Sequence, residues 1–228
     1  MIIMQNVCKQ YPGGTNALVD INVHIKQGDF VFLVGPSGAG KSTFIKMLFR
    51  EVIPTSGSLY IGGYDVLKMP PTQVPYLRRS LGIIFQDYRL LPERTVYENV
   101  AFAMQVIEAS PREIKKRTNY VLELVGLRHR VRAYPGELSG GEQQRIAIAR
   151  AIVNDPAIVI ADEPTGNLDP DTSWEIMSIF QRISDSGTTI VMATHDKSIV
   201  DSMSKRVIAI EQGRIVRDDA RGVYGYDF

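Results

Sequence analysis

The chain has 228 residues, 44% hydrophobic and 22% charged, with a formal net charge of +1. That balance suits a globular protein and excludes the broad basic footprint by which a protein holds nucleic acid, so no nucleic-acid partner is expected. One cysteine, Cys8, leaves no intramolecular disulfide and points to a reducing cytosol.

The N-terminus lacks the charged region and apolar core of a signal peptide. No apolar run reaches the ~18 residues that a membrane helix needs, so work at a membrane would require a partner that holds the protein there. Residues 2–8 and 18–25 read as strands separated by the turn Tyr11-Pro12-Gly13-Gly14. His24 falls on the polar phase of the second and is expected at the surface. Residues 30–34 read as a buried strand, and residues 44–50 as a helix. Residues 58–61 form another short strand, so a small antiparallel sheet is expected beside the core. Residues 81–85, 157–161, 189–193 and 207–210 are apolar at nearly every position, the mark of parallel strands covered on both faces. The last of these turns at Gln212-Gly213 into a hairpin.

Residues 86–155 read as helical. Ser110-Pro111-Arg112-Glu113 and Ser139-Gly140-Gly141-Glu142 each spell a capping box. Domain organisation follows: one domain over 1–228, with residues 1–86 and 156–228 as core and residues 87–155 as an inserted helical lobe. The basic run at 128–132 reads as a solvated face. The helix from Pro170 to Asp185 carries an apolar stripe, and Trp174 is expected to pack near it. The tail, residues 218–228, matches no motif.

Between the strand at 30–34 and its helix stand Gly35, Pro36, Ser37, Gly38, Ala39, Gly40, Lys41, Ser42 and Thr43, the phosphate-loop pattern in its required context. Bare glycines let backbone N–H groups converge on an anion, and the helix adds its positive end. Lys41 can bridge the outer phosphates, and the Ser42 hydroxyl can ligate Mg²⁺. Asp162 and Glu163 end a buried strand. The first can hold Mg²⁺, and the second can polarise the attacking water. Gln86 follows another strand, where its amide can ligate Mg²⁺ or contact the attacking water. His195 follows a third and can donate to a terminal phosphate. All sit where strands of open α/β sheets end, the edge that binds ligands. Gly140 and Gly141 cost about 1 kcal/mol each in a helix relative to alanine. They make sense if a phosphate approaches the backbone at Ser139, which would let two subunits clasp one triphosphate.

Residues 35–43, Gln86, 138–142, Asp162-Glu163, Asn167-Leu168-Asp169 and His195, in that order over nearly the whole chain, resemble the nucleotide-binding domain of ABC ATPases. The resemblance implies an α/β P-loop NTPase core with a mainly parallel sheet, a flanking antiparallel β-subdomain and an inserted α-helical subdomain. It implies ATP with Mg²⁺, hydrolysis to ADP and phosphate, and an ATP-dependent head-to-tail homodimer. In that dimer Ser139, Gly140, Gly141 and Glu142 of one copy close over ATP on Lys41 of the other. It further implies Glu163 as catalytic base, His195 on the γ-phosphate, Tyr11 stacked on adenine and Asp169 in the loop that couples the two subunits. Residues 85–102 resemble the cell-division branch of the family, which implies an FtsX-like integral membrane partner and a place on the cytoplasmic face of the membrane. Gly166-Asn167-Leu168-Asp169 is shared with ATPases of lipoprotein release and macrolide or peptide export, which stand as the alternative. Leu90, Leu91, Val96 and Val100 would either line a partner groove or pack the helical lobe.

Overall fold

The computed structural model describes residues 1–225, so three residues of the unassigned tail lie outside the described residues. Strands β1 (Ile2–Gln10), β2 (Asn16–Ile25), β4 (Ser56–Ile61) and the two-residue β5 (Tyr64–Asp65) pair antiparallel in the order β2-β1-β4-β5. The larger sheet has the order β10-β9-β3-β8-β7-β6 among the described residues. Its strands are β3 (Phe30–Val34), β6 (Leu81–Ile84), β7 (Ile158–Asp162), β8 (Thr189–Ala193), β9 (Arg206–Glu211) and β10 (Arg214–Asp219). All pair parallel except the β9–β10 hairpin. This is the expected α/β cassette architecture.

The period-two geometry of a strand explains how one apolar run serves two cores. Phe30, Phe32 and Val34 point to one face, where they meet helices α3 (Val96–Gln105), α4 (Pro111–Leu124), α5 (Gly140–Ile152), α6 (Pro170–Asp185) and α7 (Lys197–Met203). Val31 and Leu33 point to the other. There they meet α1 (Lys41–Leu48), α2 (Val74–Arg79) and the inner face of the antiparallel sheet. The same split recurs on β7, β8 and β9. Val96 and Val100 are fully buried in the helical-side core, so these two belong to packing and not to a surface groove. His24 is exposed as expected. Trp174 is a correction: it stands 41% exposed on α6, while Ile176, Met177, Ile179, Phe180 and Ile183 fill the core.

Register fixes the site. Leu33 of β3 pairs with Ala193 of β8, and Ala193 with Asp162 of β7, while Ala161 pairs with Ile84 of β6. The carboxyl ends of four neighbouring strands therefore deliver the residues that follow them to one edge.

Candidate functional site

The loop from β3 to α1 leaves the sheet at Gly35, whose φ is +143°; a Cβ there would run into the Ile210 carbonyl oxygen. Gly40, the N-cap of α1, has φ +113°, and its Cβ would stand 2.5 Å from the Ala17 carbonyl oxygen. Only glycine fits either position without displacing backbone. The loop wraps a cavity of about 530 Å³ whose lining includes Tyr11, Lys41, Ser42, Glu163, His195 and Tyr224. Lys41 Nζ donates to the loop's own carbonyls, Gly35 O at 2.7 Å and Pro36 O at 3.0 Å. Tyr11 Oη lies 3.3 Å from Thr43 Oγ1, which ties the turn before β2 to the start of α1.

Glu163 follows β7 with φ +49°, a left-handed conformation that a side chain adopts at a cost. Its N–H donates to Ala193 O at 2.9 Å, which turns the carboxylate towards β8. There Oε2 lies 2.9 Å from His195 Nδ1, with the glutamate side chain 23% exposed and the histidine 60%. Burial pushes the Asp162 carboxyl up, and the charge of Glu163 pushes it further against the opposing pull of Lys46 and Lys41. Gln86 Nε2 and Glu163 Oε2 both approach the bare Cα of Gly166, where a Cβ would stand 3.4 and 3.3 Å from them. The structure thus gathers Lys41, Ser42, Asp162, Glu163, His195 and Gln86 at one edge, although Asp162 and Gln86 lie outside the cavity lining.

Residues 139–142 are not in that lining either. Ser139 is the exposed N-cap of α5. Its Oγ accepts from Glu142 N at 3.2 Å, and its N–H donates to Glu142 Oε2 at 2.9 Å. These bonds, with Arg130 beside the carboxylate, hold Glu142 below the usual range. The glycines have an internal reason that the sequence reading did not foresee. A Cβ on Gly141 would collide with the Thr172 side chain, and one on Gly140 would stand 3.2 Å from Tyr88 Oη. Asp169 caps α6, accepting from Thr172 N at 3.0 Å, and also lies away from the cavity.

The segment after Gln86 is held by α5. Tyr88 and Arg89 both have positive φ, +58° and +46°. Arg150, the last basic residue of α5, donates to Arg89 O at 2.6 Å and Tyr88 O at 2.7 Å. Burial pulls its guanidinium pKa down, so these carbonyls carry its charge in place of water. Further along, buried Asn99 accepts from Leu91 N and donates to the carbonyls of Leu91, Arg94 and Thr95. Arg150→Ala is expected to lower stability by about 2–3 kcal/mol, since it orphans two carbonyls that a charged donor had satisfied. Urea unfolding checks this, and a midpoint equal to the parental one would show that water replaces the guanidinium.

Four cavity residues were not picked out from the sequence: Thr15, Asn16, Ala17 and Tyr224. The first three follow the Tyr11-Pro12-Gly13-Gly14 turn, which was the available signal. Tyr224 had none.

With this geometry in place, the family model described as ABC transporter matches residues 18–166. The chain belongs to the ABC transporter family. This ABC ATPase binds and hydrolyses ATP. It is 60% identical to the cell division ATP-binding protein FtsE of Streptococcus pneumoniae over 227 residues, all of this chain and 99% of that protein. It is 59% identical to the FtsE of Bacillus subtilis over 228 residues, the full length of both. Among solved structures, the post-hydrolysis dimer of the ATP-binding cassette MJ0796 bound to ADP and Pi superposes on the ABC ATPase with a TM-score of 0.87. That match has 34% identity and covers 99% of this chain and 100% of the other.

Proposed function

We propose that the chain is the ATP-driven motor of a cell-division assembly, acting on an FtsX-like integral membrane protein that controls peptidoglycan hydrolysis outside the cell. The observation that carries this reading is the likeness to FtsE proteins along the whole chain. Among the described residues no helix is long and apolar enough to cross a membrane, so a place on the cytoplasmic face would depend on that partner.

In the proposed cycle the loop N–H groups and Lys41 take the phosphates, and Tyr11, in the lining of the same cavity, stacks on adenine. The Ser42 hydroxyl, the Asp162 carboxylate and the Gln86 amide form an oxygen donor set suited to Mg²⁺. The raised Asp162, buried beside a second carboxylate, fits a group that awaits a cation. Mg²⁺ would neutralise phosphate charge. Glu163 takes the proton of the attacking water, and His195 donates to the terminal phosphate. The two stand side by side, Glu163 Oε2 2.9 Å from His195 Nδ1, so base and phosphate contact are placed as a pair. Ser139, Gly140, Gly141 and Glu142 of a second copy, joined by Asp169 in the coupling loop, would complete the enclosure; Ser139 and Asp169 are exposed, and all five lie outside this copy's cavity lining. The dimeric MJ0796 structures support that arrangement.

For the partner, the helical lobe 87–155 offers an apolar groove of about 330 Å³ against α2 and β6, lined by Arg79, Leu91, Phe102, Val106, Arg150 and Asn154 among others. Phe102 and Val106 remain 36% and 43% exposed. Such a groove suits an amphipathic helix, and Arg150 joins its wall to the segment after Gln86. Pull-down from a gentle detergent extract is expected to recover a four-span membrane protein with a large extracytoplasmic loop. Phe102→Glu is expected to cut that recovery about tenfold, the effect of losing one buried aromatic anchor. Recovery of a lipoprotein-releasing or drug-exporting complex would overturn the division reading.

A further inference from the structure

The chain after β10 folds back across α7 instead of leaving the surface. Gly222 N donates to Lys205 O at 3.0 Å. Tyr224 N donates to Asp201 Oδ1 at 2.6 Å. Arg217 Nη1 donates to Gly225 O at 2.8 Å, and its Nη2 to Tyr224 O at 3.3 Å and to Val223 O. A guanidinium 16% exposed and a carboxylate therefore clasp three successive residues by their backbone. Terminal segments fray unless tied down, and this one is tied at the residue that enters the nucleotide cavity. Tyr224 packs against the helical-side core and lines the same cavity as Lys41, Glu163 and His195. Burial first, and then the Glu163 charge, push its phenol up, so it stays a neutral hydroxyl able both to donate and to accept.

We propose that Tyr224 is a positioning residue of the hydrolysis site, clasped by Arg217 and Asp201 so that its hydroxyl orients the Glu163–His195 pair towards the terminal phosphate. The inference rests on the roles given above to Glu163 and His195. It differs from a purely structural role, in which the ring would only seal the core between α7 and the sheet. A ring that seals is replaced without loss by phenylalanine, whereas a hydroxyl that orients is not.

The test compares the parental protein with Tyr224→Phe, Arg217→Ala and Glu163→Gln. Tyr224→Phe is expected to lower kcat about tenfold, the worth of one hydrogen bond to a charged group. The KM for ATP, and the affinity for a fluorescent ADP analogue, are expected to stay within about twofold, because ground-state binding is untouched. The pH–rate profile is expected to shift, since the tyrosine lines the same cavity as the proposed base and the histidine beside it. Arg217→Ala is expected to reproduce the fall in kcat and to make the tail sensitive to carboxypeptidase. If Tyr224→Phe retains the parental kcat and pH profile while Glu163→Gln is inactive, the tyrosine has no positioning role and the site reading stands. If both variants turn over at the parental rate, the site reading itself fails.

Discussion

Glu163→Gln is expected to bind ATP with parental affinity and to hydrolyse it about 10²–10⁴-fold more slowly, the range for loss of a general base. The substitution keeps the side-chain volume and one hydrogen-bonding oxygen, so the left-handed backbone at 163 and the bond from its N–H to Ala193 O are not disturbed. It removes the negative charge that would take the proton of the attacking water. It also removes the charge that pushes the Asp162 carboxyl up, which leaves Asp162 the readier to hold a cation. Binding therefore survives while chemistry stops, and two copies closed on ATP should accumulate. Size-exclusion chromatography with ATP would show them as a dimer that the parental protein does not retain. Hydrolysis by the variant at the parental rate would sink the assignment of the base.

How much of this was legible beforehand depends on whether the information is local. The phosphate loop was legible because its glycines, Lys41 and Ser42 are consecutive and stand between a strand and a helix whose periods the residues announce. The edge that gathers Gln86, Asp162, Glu163 and His195 was legible because each follows a run of apolar residues, and parallel strands put their carboxyl ends together. What was not legible depended on contacts between distant segments. The reason for Gly141 lies in Thr172, on the next helix. The grip of Arg150 on the carbonyls of residues 88 and 89 spans some sixty positions. Trp174 looked like a core residue by type, yet on α6 it falls outside the stripe that Ile176, Ile179, Phe180 and Ile183 define. Tyr224 belongs to no motif and enters the cavity only because Arg217 and Asp201 bend the tail back. Spacing in the sequence carries no trace of that clasp.

Lys41→Ala is expected to weaken ATP binding about 30-fold or more while leaving the fold intact. The lysine is the first residue of α1, and among the described residues its ammonium hydrogen-bonds only the carbonyls of Gly35 and Pro36, in its own loop. No core residue depends on it, so the unfolding midpoint should stay near the parental value. Nucleotide binding exchanges those two neutral acceptors for phosphate oxygens, and a charge-assisted bond of that kind contributes about 1.5–3 kcal/mol, roughly 10- to 150-fold in Kd. Loss of the ammonium has a second effect of the same sign. It is one of two lysines that hold the Asp162 carboxyl down against burial and Glu163. Without it that carboxyl rises further and is a poorer partner for the cation that accompanies the nucleotide. Titration calorimetry with a slowly hydrolysed ATP analogue measures the change, and an affinity equal to the parental one would remove Lys41 from the phosphate site. Paired with Glu163→Gln, the result separates the two steps. The glutamate variant should bind, close and stall, whereas the lysine variant should remain monomeric at ATP concentrations that dimerise the other.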